Sequence, residues 1–507
     1  MASSETTAPL LEGKAEATPR VTAEAKKWKP AAIAADIATL GTGTLVAGAF
    51  NVALVFLVPK LISVEDYGYW RILILYAGYV GFLHFGFADG ALLRWAGRPF
   101  GEFHPELWPA MKYLFWQHMA VLAAACLVAM LLLKGPLRFV AIAVAVYAPL
   151  FNIVATLQFG LQGARDFRPV AASGVAAPAL FCVLLLLWVS AWQSSFREVA
   201  VLFLLAWCVP LGFLLFWTRP WAAPERGITA KELARHCVLS GWPIMMANTA
   251  VALIVTADRL AASWAASVQD FAQYSLAASA MAVPITAITA CSKVFFPHLA
   301  ELDQDQRKRV YGISSWLLLI AWIILLPYYF GLDIFVRHVL PKYIPSLRYA
   351  RILLLAVPFI AVIQILQMSY AYLNGIQKKF LAQTVAALVV SIGLTSLAAF
   401  HARSLGVVAG TQVVVLGVWW LCNEWTLRSL TGQRGGDSAK FSGAYGLASL
   451  SYWIATAWTE RAQVSVLVYY VGIAIVLMAF CREQLQLWGR MVLRARAAQQ
   501  LSASEGK

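Results

Sequence analysis

Charged side chains in this chain come in small clusters, and fourteen uncharged, largely apolar stretches lie between them. They run over 37–59, 72–88, 113–133, 139–164, 169–196, 199–218, 236–257, 271–292, 310–332, 352–377, 380–402, 404–423, 441–459 and 462–481, and hold 17 to 28 residues each. A helix crossing the hydrocarbon of a bilayer needs about 20 apolar residues, whereas buried helices of soluble domains are usually shorter. The pattern therefore predicts an all-α polytopic membrane protein with about fourteen transmembrane helices. The second stretch has only 17 residues before Asp89, so its helix is expected to continue to about Trp95. The thirteenth contains Gly446, Ser449, Ser451 and Thr456 and reads as a peripheral helix.

Order and charge then divide the chain. Residues 1–29 are polar and read as a disordered cytoplasmic tail. Residues 30–218 form an expected N-terminal six-helix bundle, 219–235 a cytoplasmic linker, and 236–430 a C-terminal six-helix bundle. Two further helices over 441–482 and a cytoplasmic tail over 483–507 complete the division. With fourteen spans and the N-terminus inside, the tails and even-numbered connections carry 28 of the 40 Lys and Arg residues, and the odd-numbered connections carry 12. That bias places both termini in the cytoplasm.

Two polar segments recur. Val64-Glu65-Asp66-Tyr67-Gly68-Tyr69-Trp70 has a counterpart in Val268-Gln269-Asp270-Phe271-Ala272-Gln273-Tyr274. Leu161-Gln162-Gly163-Ala164-Arg165-Asp166-Phe167 has one in Leu373-Asn374-Gly375-Ile376-Gln377-Lys378-Lys379-Phe380. The two offsets nearly agree and correspond to six spans. An even number of spans preserves orientation, so the halves should be related by an axis along the membrane normal, with a central cavity between them.

Composition narrows the class. The chain is 61% hydrophobic and 13% charged, with a mean hydropathy of +0.70. These values exclude a disordered chain, a disulfide-stapled secreted domain and almost any cytosolic enzyme. The net charge of +15 is dealt out at helix ends, as topology requires, and does not mark a nucleic-acid partner. No phosphate-binding GxxxxGK[ST] loop is present, so no nucleotide motor is expected. The seven Cys and seven His are scattered, which predicts no metal, cofactor or catalytic site.

The segments LISVEDYGYWRILILYAGYVGFLHFGFADGALLRWAGR (61–98), SGWPIMMANTAVALIVTADRLAAS (240–263), FAQYSLAASAMAVPITAITACSKVFFPHLAEL (271–302) and YAYLNGIQKK (370–379) resemble bacterial polysaccharide flippases. These O-antigen, capsule and exopolysaccharide translocases belong to the multidrug/oligosaccharidyl-lipid/polysaccharide exporter superfamily. The likeness covers residues 30–430 and rests on the order of individually weak motifs. It implies two six-helix bundles in a V shape. It also implies transfer of an undecaprenyl-pyrophosphate-linked oligosaccharide from the cytoplasmic to the periplasmic leaflet of the inner membrane. H+ or Na+ is a candidate coupling ion, and polysaccharide polymerase or export machinery a candidate partner.

Ionisable groups inside spans are expensive and so become functional candidates. Arg94, Arg165, Lys293 and Lys378 stand at the cytoplasmic mouth, where they could attract a pyrophosphate or merely anchor helix ends. Asp89 lies within the second span, and Asp258 with Arg259 near the outer end of the seventh, as an ion-pair latch or a plain helix end. Gln158, Gln162, Asn248, Gln364 and Asn374 could bind sugar hydroxyls or join helices. Two alternatives stay open. A multidrug antiporter of the same superfamily should have a deep N-terminal carboxylate, whereas Asp36 is shallow. A polysaccharide polymerase should have a large outward loop, and 333–351 is small.

Overall fold

The computed structural model describes residues 30–189, 195–222, 229–281, 283–285, 288, 299, 302–433, 435–457 and 462–480. Every regular element among them is helical. The first half comprises α1 (Pro30–Leu61), α2 (Val64–Ala77), a 3-10 turn (Val80–His84), α3 (Phe87–Trp95), α4 (Phe100–Leu132), α5 (Gly135–Gly163), α6 (Phe167–Val189) and α7 (Phe196–Thr218). The second begins with α8 (Ala230–Ala265), α9 (Val268–Ala280), α10 (Gln304–Leu325) and α11 (Tyr328–Val339). A long helical run follows as α12 (Pro341–Leu373), π-helical over Val362–Gln367. The remaining helices are α13 (Gln377–Leu397), α14 (Leu405–Thr431), α15 (Gly435–Ala457) and α16 (Ala462–Phe480).

Ten helices are long and apolar enough to cross a membrane, or eleven if Val64–His84 and Phe87–Trp95 form one bent span. The expected count of about fourteen is not reached among the described residues. α9 covers only the start of the eighth stretch, the rest of which lies largely outside the described residues. Helices α15 and α16 occupy the last two stretches and are not among those ten. The multi-pass all-α architecture itself is as the charge pattern predicts.

Short polar motifs start the helices. Ser63 Oγ accepts the Asp66 N–H at 3.0 Å at the head of α2, and Ser267 Oγ accepts the Asp270 N–H at 3.1 Å at the head of α9. Thr229 with Glu232 opens α8 by a reciprocal pair of such bonds, and Asp303 with Gln306 does so for α10. Each cap satisfies a backbone donor that the apolar phase cannot.

Packing repeats as the sequence does. In the first half α1 lies along α6, and α6 along α7; in the second α8 lies along α13, and α13 along α14. The recurring segments that open α2 and α9 meet each other between the halves. There Gly68 has no room for a side chain, because a Cβ would stand 2.4 Å from the Val268 carbonyl oxygen. Helices α15 and α16 pack together and onto the second half, where the Tyr469 hydroxyl donates to the Ile323 carbonyl at 2.6 Å.

The second span does continue to Trp95, as expected, but it is broken. Phe85 and Gly86 adopt left-handed backbone angles (φ 49° and 85°), and the axis bends by 57° there. The bent-off piece, α3, then crosses α8 in direct backbone contact. A Cβ on Gly90 would lie 1.8 Å from the Cys237 carbonyl oxygen, and one on Gly241 would lie 2.0 Å from that of Gly86. Three glycines thus form a seam between the halves.

The Arg-rich end of α3 is neutralised internally. Arg94 makes a two-pronged contact with Glu106 at 2.6 and 3.0 Å, Trp95 Nε1 donates to the same carboxylate at 2.9 Å, and Arg98 reaches it at 3.2 Å. Glu106→Gln leaves Arg94 with a neutral acceptor, while Arg98 keeps the Glu102 carboxylate at 3.8 Å and its carbonyl at 3.1 Å. The expected cost is about 2–3 kcal/mol, visible as a lowered melting temperature of the purified protein in detergent. An unchanged Tm would show that this cluster does not hold the helix end.

Candidate functional site

Between the halves lies a cavity of about 770 Å³, walled by α1, α2, α5, α6 and α7 on one side and by α8 and α9 on the other. Its wall is largely apolar and aromatic, with Tyr67, Trp70, Tyr147, Phe181, Phe203 and Trp207 among its residues. Against that wall stand two charged side chains, Arg71 from α2 and Arg259 from α8. The same two arginines line an adjoining chamber of about 150 Å³. Each sits about two turns from a loop end of its helix, one in each half of the repeat.

The chemistry of these arginines is incomplete. Arg71 Nε and Arg259 Nε are both shielded from solvent and have no hydrogen-bond partner. Asp258, on the turn beside Arg259, approaches it only to 3.9 Å. That carboxylate is instead committed to the Tyr274 hydroxyl, which donates to Oδ2 at 2.7 Å. A buried donor left without an acceptor costs free energy that a bound acceptor would recover. The two guanidinium groups give an otherwise apolar and aromatic wall its positive charge.

The structure distributes the sequence-derived candidates unevenly. Arg259 lines the cavity, and Asp258 stands beside it, fully buried. Asp89 sits on α3 with a carboxylate oxygen 3.6 Å from His84 Nε2. Arg94 is held by Glu106, as described. Gln158 joins α5 to α6 by donating to Ser173 Oγ at 2.9 Å. Gln162 is half-buried at the end of α5, and Arg165 is exposed in the following turn with φ 62°. Asn248 is exposed on α8. Gln364 lies half-buried in the π-helical stretch of α12. Asn374 donates to the Tyr370 carbonyl one turn back, at 2.8 Å. Lys378 is exposed beside a separate, mainly apolar groove between α8, α12 and α13. Lys293 lies outside the described residues.

Sequence reasoning missed Arg71, Glu424 and the two buried histidines. In the sequence Arg71 marks the boundary of the second span, because charge spacing alone defines an edge at the first charge met. The signal that locates it is the Ser63 cap, which starts α2 well before Arg71. Glu424 likewise terminates an apolar stretch in sequence, yet it is buried on α14 and accepts hydrogen bonds from the Tyr311 hydroxyl and from Gln367 Nε2 at 3.2 Å.

Comparison with known proteins agrees with this architecture. Residues 106–303 match the family model described as polysaccharide biosynthesis protein. No curated protein matches the chain by sequence. Among solved structures, the lipid II flippase MurJ in an inward closed conformation superposes with a TM-score of 0.68 at 11% identity, covering 88% of this chain and 99% of that one. An inward-facing multidrug resistance MATE transporter of the MOP superfamily reaches 0.53 at 14% identity, covering 79% and 96%. An outward-facing MATE transporter of that superfamily reaches 0.53 at 16% identity, covering 79% and 97%. The chain therefore has the fold of the superfamily that its sequence resembles, the fold of membrane transporters and flippases.

Proposed function

We propose that the protein flips a lipid-linked oligosaccharide bearing a pyrophosphate, of the undecaprenyl-pyrophosphate kind, from the cytoplasmic to the periplasmic leaflet of a bacterial inner membrane. The observation that carries this reading is the pair of cavity arginines, Arg71 and Arg259, whose Nε donors have no partner. Guanidinium groups suit phosphate oxygens because their donors are arranged in a planar fork. The aromatic wall suits the faces of sugar rings, and the polyprenyl tail can stay in lipid while the head group crosses. Neither part then enters a phase that rejects it. The domain boundaries drawn from the sequence fit this cycle, with two six-helix bundles rocking about a shared cavity. The Arg94 and Arg165 end is cytoplasmic in this reading.

The antiporter alternative is weakened by the sign of the cavity. Cationic drugs would meet two arginines and no carboxylate among the cavity-lining residues. The test is a deletion strain in which the lipid-linked precursor is assayed separately in each leaflet. Precursor accumulating on the cytoplasmic face, with rescue by the wild-type chain, supports flipping. Precursor arriving unpolymerised on the periplasmic face would instead identify a polymerase.

A further inference from the structure

The break in the second span carries a buried cluster that the cavity does not use. His84, at the end of the 3-10 turn, accepts the Gly86 N–H on Nδ1 at 3.0 Å, and its Nε2 lies 3.6 Å from Asp89 Oδ2. His118 on α4 is fully buried. Its Nδ1 donates to the Leu114 carbonyl at 2.8 Å, and its Nε2 accepts from Asn152 Nδ2 at 2.9 Å. Asn152 Nδ2 also donates to the Val80 carbonyl of the 3-10 turn at 2.8 Å. Each imidazole thus has one nitrogen occupied as an acceptor, which assigns both rings to the neutral form here.

We propose that the His84–Asp89 pair is a proton-binding site whose occupancy opens the glycine seam between the two halves. A proton arriving from solvent would form an N–H bond on His84 Nδ1, and that N–H would then face the Gly86 N–H. The hydrogen bond that stabilises the left-handed turn at Phe85 and Gly86 is lost. In exchange the imidazolium has a carboxylate within reach, at Asp89. The closed break and the protonated ring therefore exclude each other, and a ligand that binds only one of two states shifts the population toward it. Coupling to the rest of the molecule is direct, because Gly86 and Gly90 are the residues seated on Gly241 and Cys237 of α8.

Few other groups could take over this role among the described residues. The titratable or charged groups facing the cluster are His118 and Tyr113 from α4, the latter stacked on Phe87 at 5.1 Å, and Cys237 from α8 beside Gly90. Helix α5 presents the neutral Asn152. Farther along α3, Arg94 is matched by Glu106. A proton delivered here is met by one carboxylate, Asp89. The site would make the flippase proton-sensitive, and this inference rests on the reading of the chain as a transporter that alternates between closed and open ends.

The experiment needs no transported substrate. Full-length protein with its native cysteines replaced is spin-labelled at Ala96→Cys and Arg235→Cys, two exposed positions flanking the seam. It is reconstituted in lipid nanodiscs, and the label-to-label distance is measured between about pH 8 and pH 5. The expected result is a single short distance at the alkaline end and a longer population appearing as pH falls. His84→Gln keeps an acceptor for Gly86 but cannot take the proton, so the short distance should persist at both ends. Asp89→Asn removes the compensating charge, so the transition should move to more acidic pH. An unchanged wild-type distribution, or a His84→Gln protein that responds like wild type, would overturn the proposal. Should His84→Gln not fold, an Asp89→Asn transition at the wild-type pH overturns it equally. If the distance responds as expected while the leaflet assay finds no flipping, the fault lies with the proposed substrate and not with the proton site.

Discussion

Arg71→Ala is expected to lower translocation of the lipid-linked precursor by about 30-fold or more, and Arg259→Ala by a similar factor. The estimate follows from losing charge-assisted hydrogen bonds of about 2 kcal/mol to an anion within a low-dielectric cavity. Arg71→Ala should not lower the melting temperature, because its Nε donor is already without a partner, whereas Arg259→Ala also takes away the cation 3.9 Å from the buried Asp258 carboxylate and should lower it. Removing Arg71 relieves a desolvation cost and leaves no acceptor behind. That separates a ligand-binding arginine from a structural one such as Arg94, whose loss strands Glu106. Arg→Lys at either position should recover only part of the rate, since a point charge replaces a fork. The measurements are leaflet-resolved precursor appearance and thermal unfolding of the same preparations. Wild-type translocation in Arg71→Ala, or a fall in Tm without a loss of rate, would remove these residues from the site.

Gly90→Val should abolish transport by a different route, by preventing closure of the seam. The Cys237 carbonyl oxygen would lie 1.8 Å from the first added carbon, a distance that only separation of α3 from α8 relieves, because both contacting groups are on helix backbones. Overpacking of this kind typically costs about 1–3 kcal/mol, occasionally more, which is enough to shift a two-state equilibrium substantially. Cys237 reports the outcome. Its side chain is fully buried in the closed seam. In Gly90→Val it should label with a water-soluble maleimide, at a rate well above that of the wild type, in a protein whose other cysteines have been replaced. Cys237 that stays unreactive while transport proceeds normally would show that the seam does not need this contact. Gly241→Ala meets the Gly86 carbonyl oxygen at 2.0 Å and should behave in the same direction.

The membrane fold was written in charge spacing, and the repeat in two short polar segments. The physics behind both is one-dimensional. Hydrocarbon excludes charge over a fixed thickness, and a helix end needs a cap, so Ser63-x-x-Asp66 and Ser267-x-x-Asp270 mark the same structural event in each half. The bend in the second span was not legible in that way. Phe85-Gly86-Phe87 contains no proline, and the left-handed turn is held by His84 folding back onto the Gly86 amide. Pro149, Pro210 and Pro243, of the residue type that most often kinks a helix, lie within helices that run on through them.

The candidate residues show the same division. A list of polar groups in apolar spans includes Arg259, Asp89 and Gln158 equally, since the cost of burial is the same for each at sequence level. Only neighbours across helices tell them apart. Gln158 finds Ser173 and becomes a link between helices, Arg94 finds Glu106 and becomes part of a neutral cluster, and Arg259 lines the cavity with only Asp258, at 3.9 Å, near its Nε. The sequence by itself determined that this chain crosses a membrane many times, is helical throughout its apolar stretches, and is built on a repeat. It did so because the bilayer imposes length and polarity segment by segment. The tertiary structure alone decided which polar groups satisfy one another, because hydrogen bonding between distant helices depends on which faces meet. Arg71, hidden in the sequence as the edge of a span, is for that reason the residue on which the functional reading now turns.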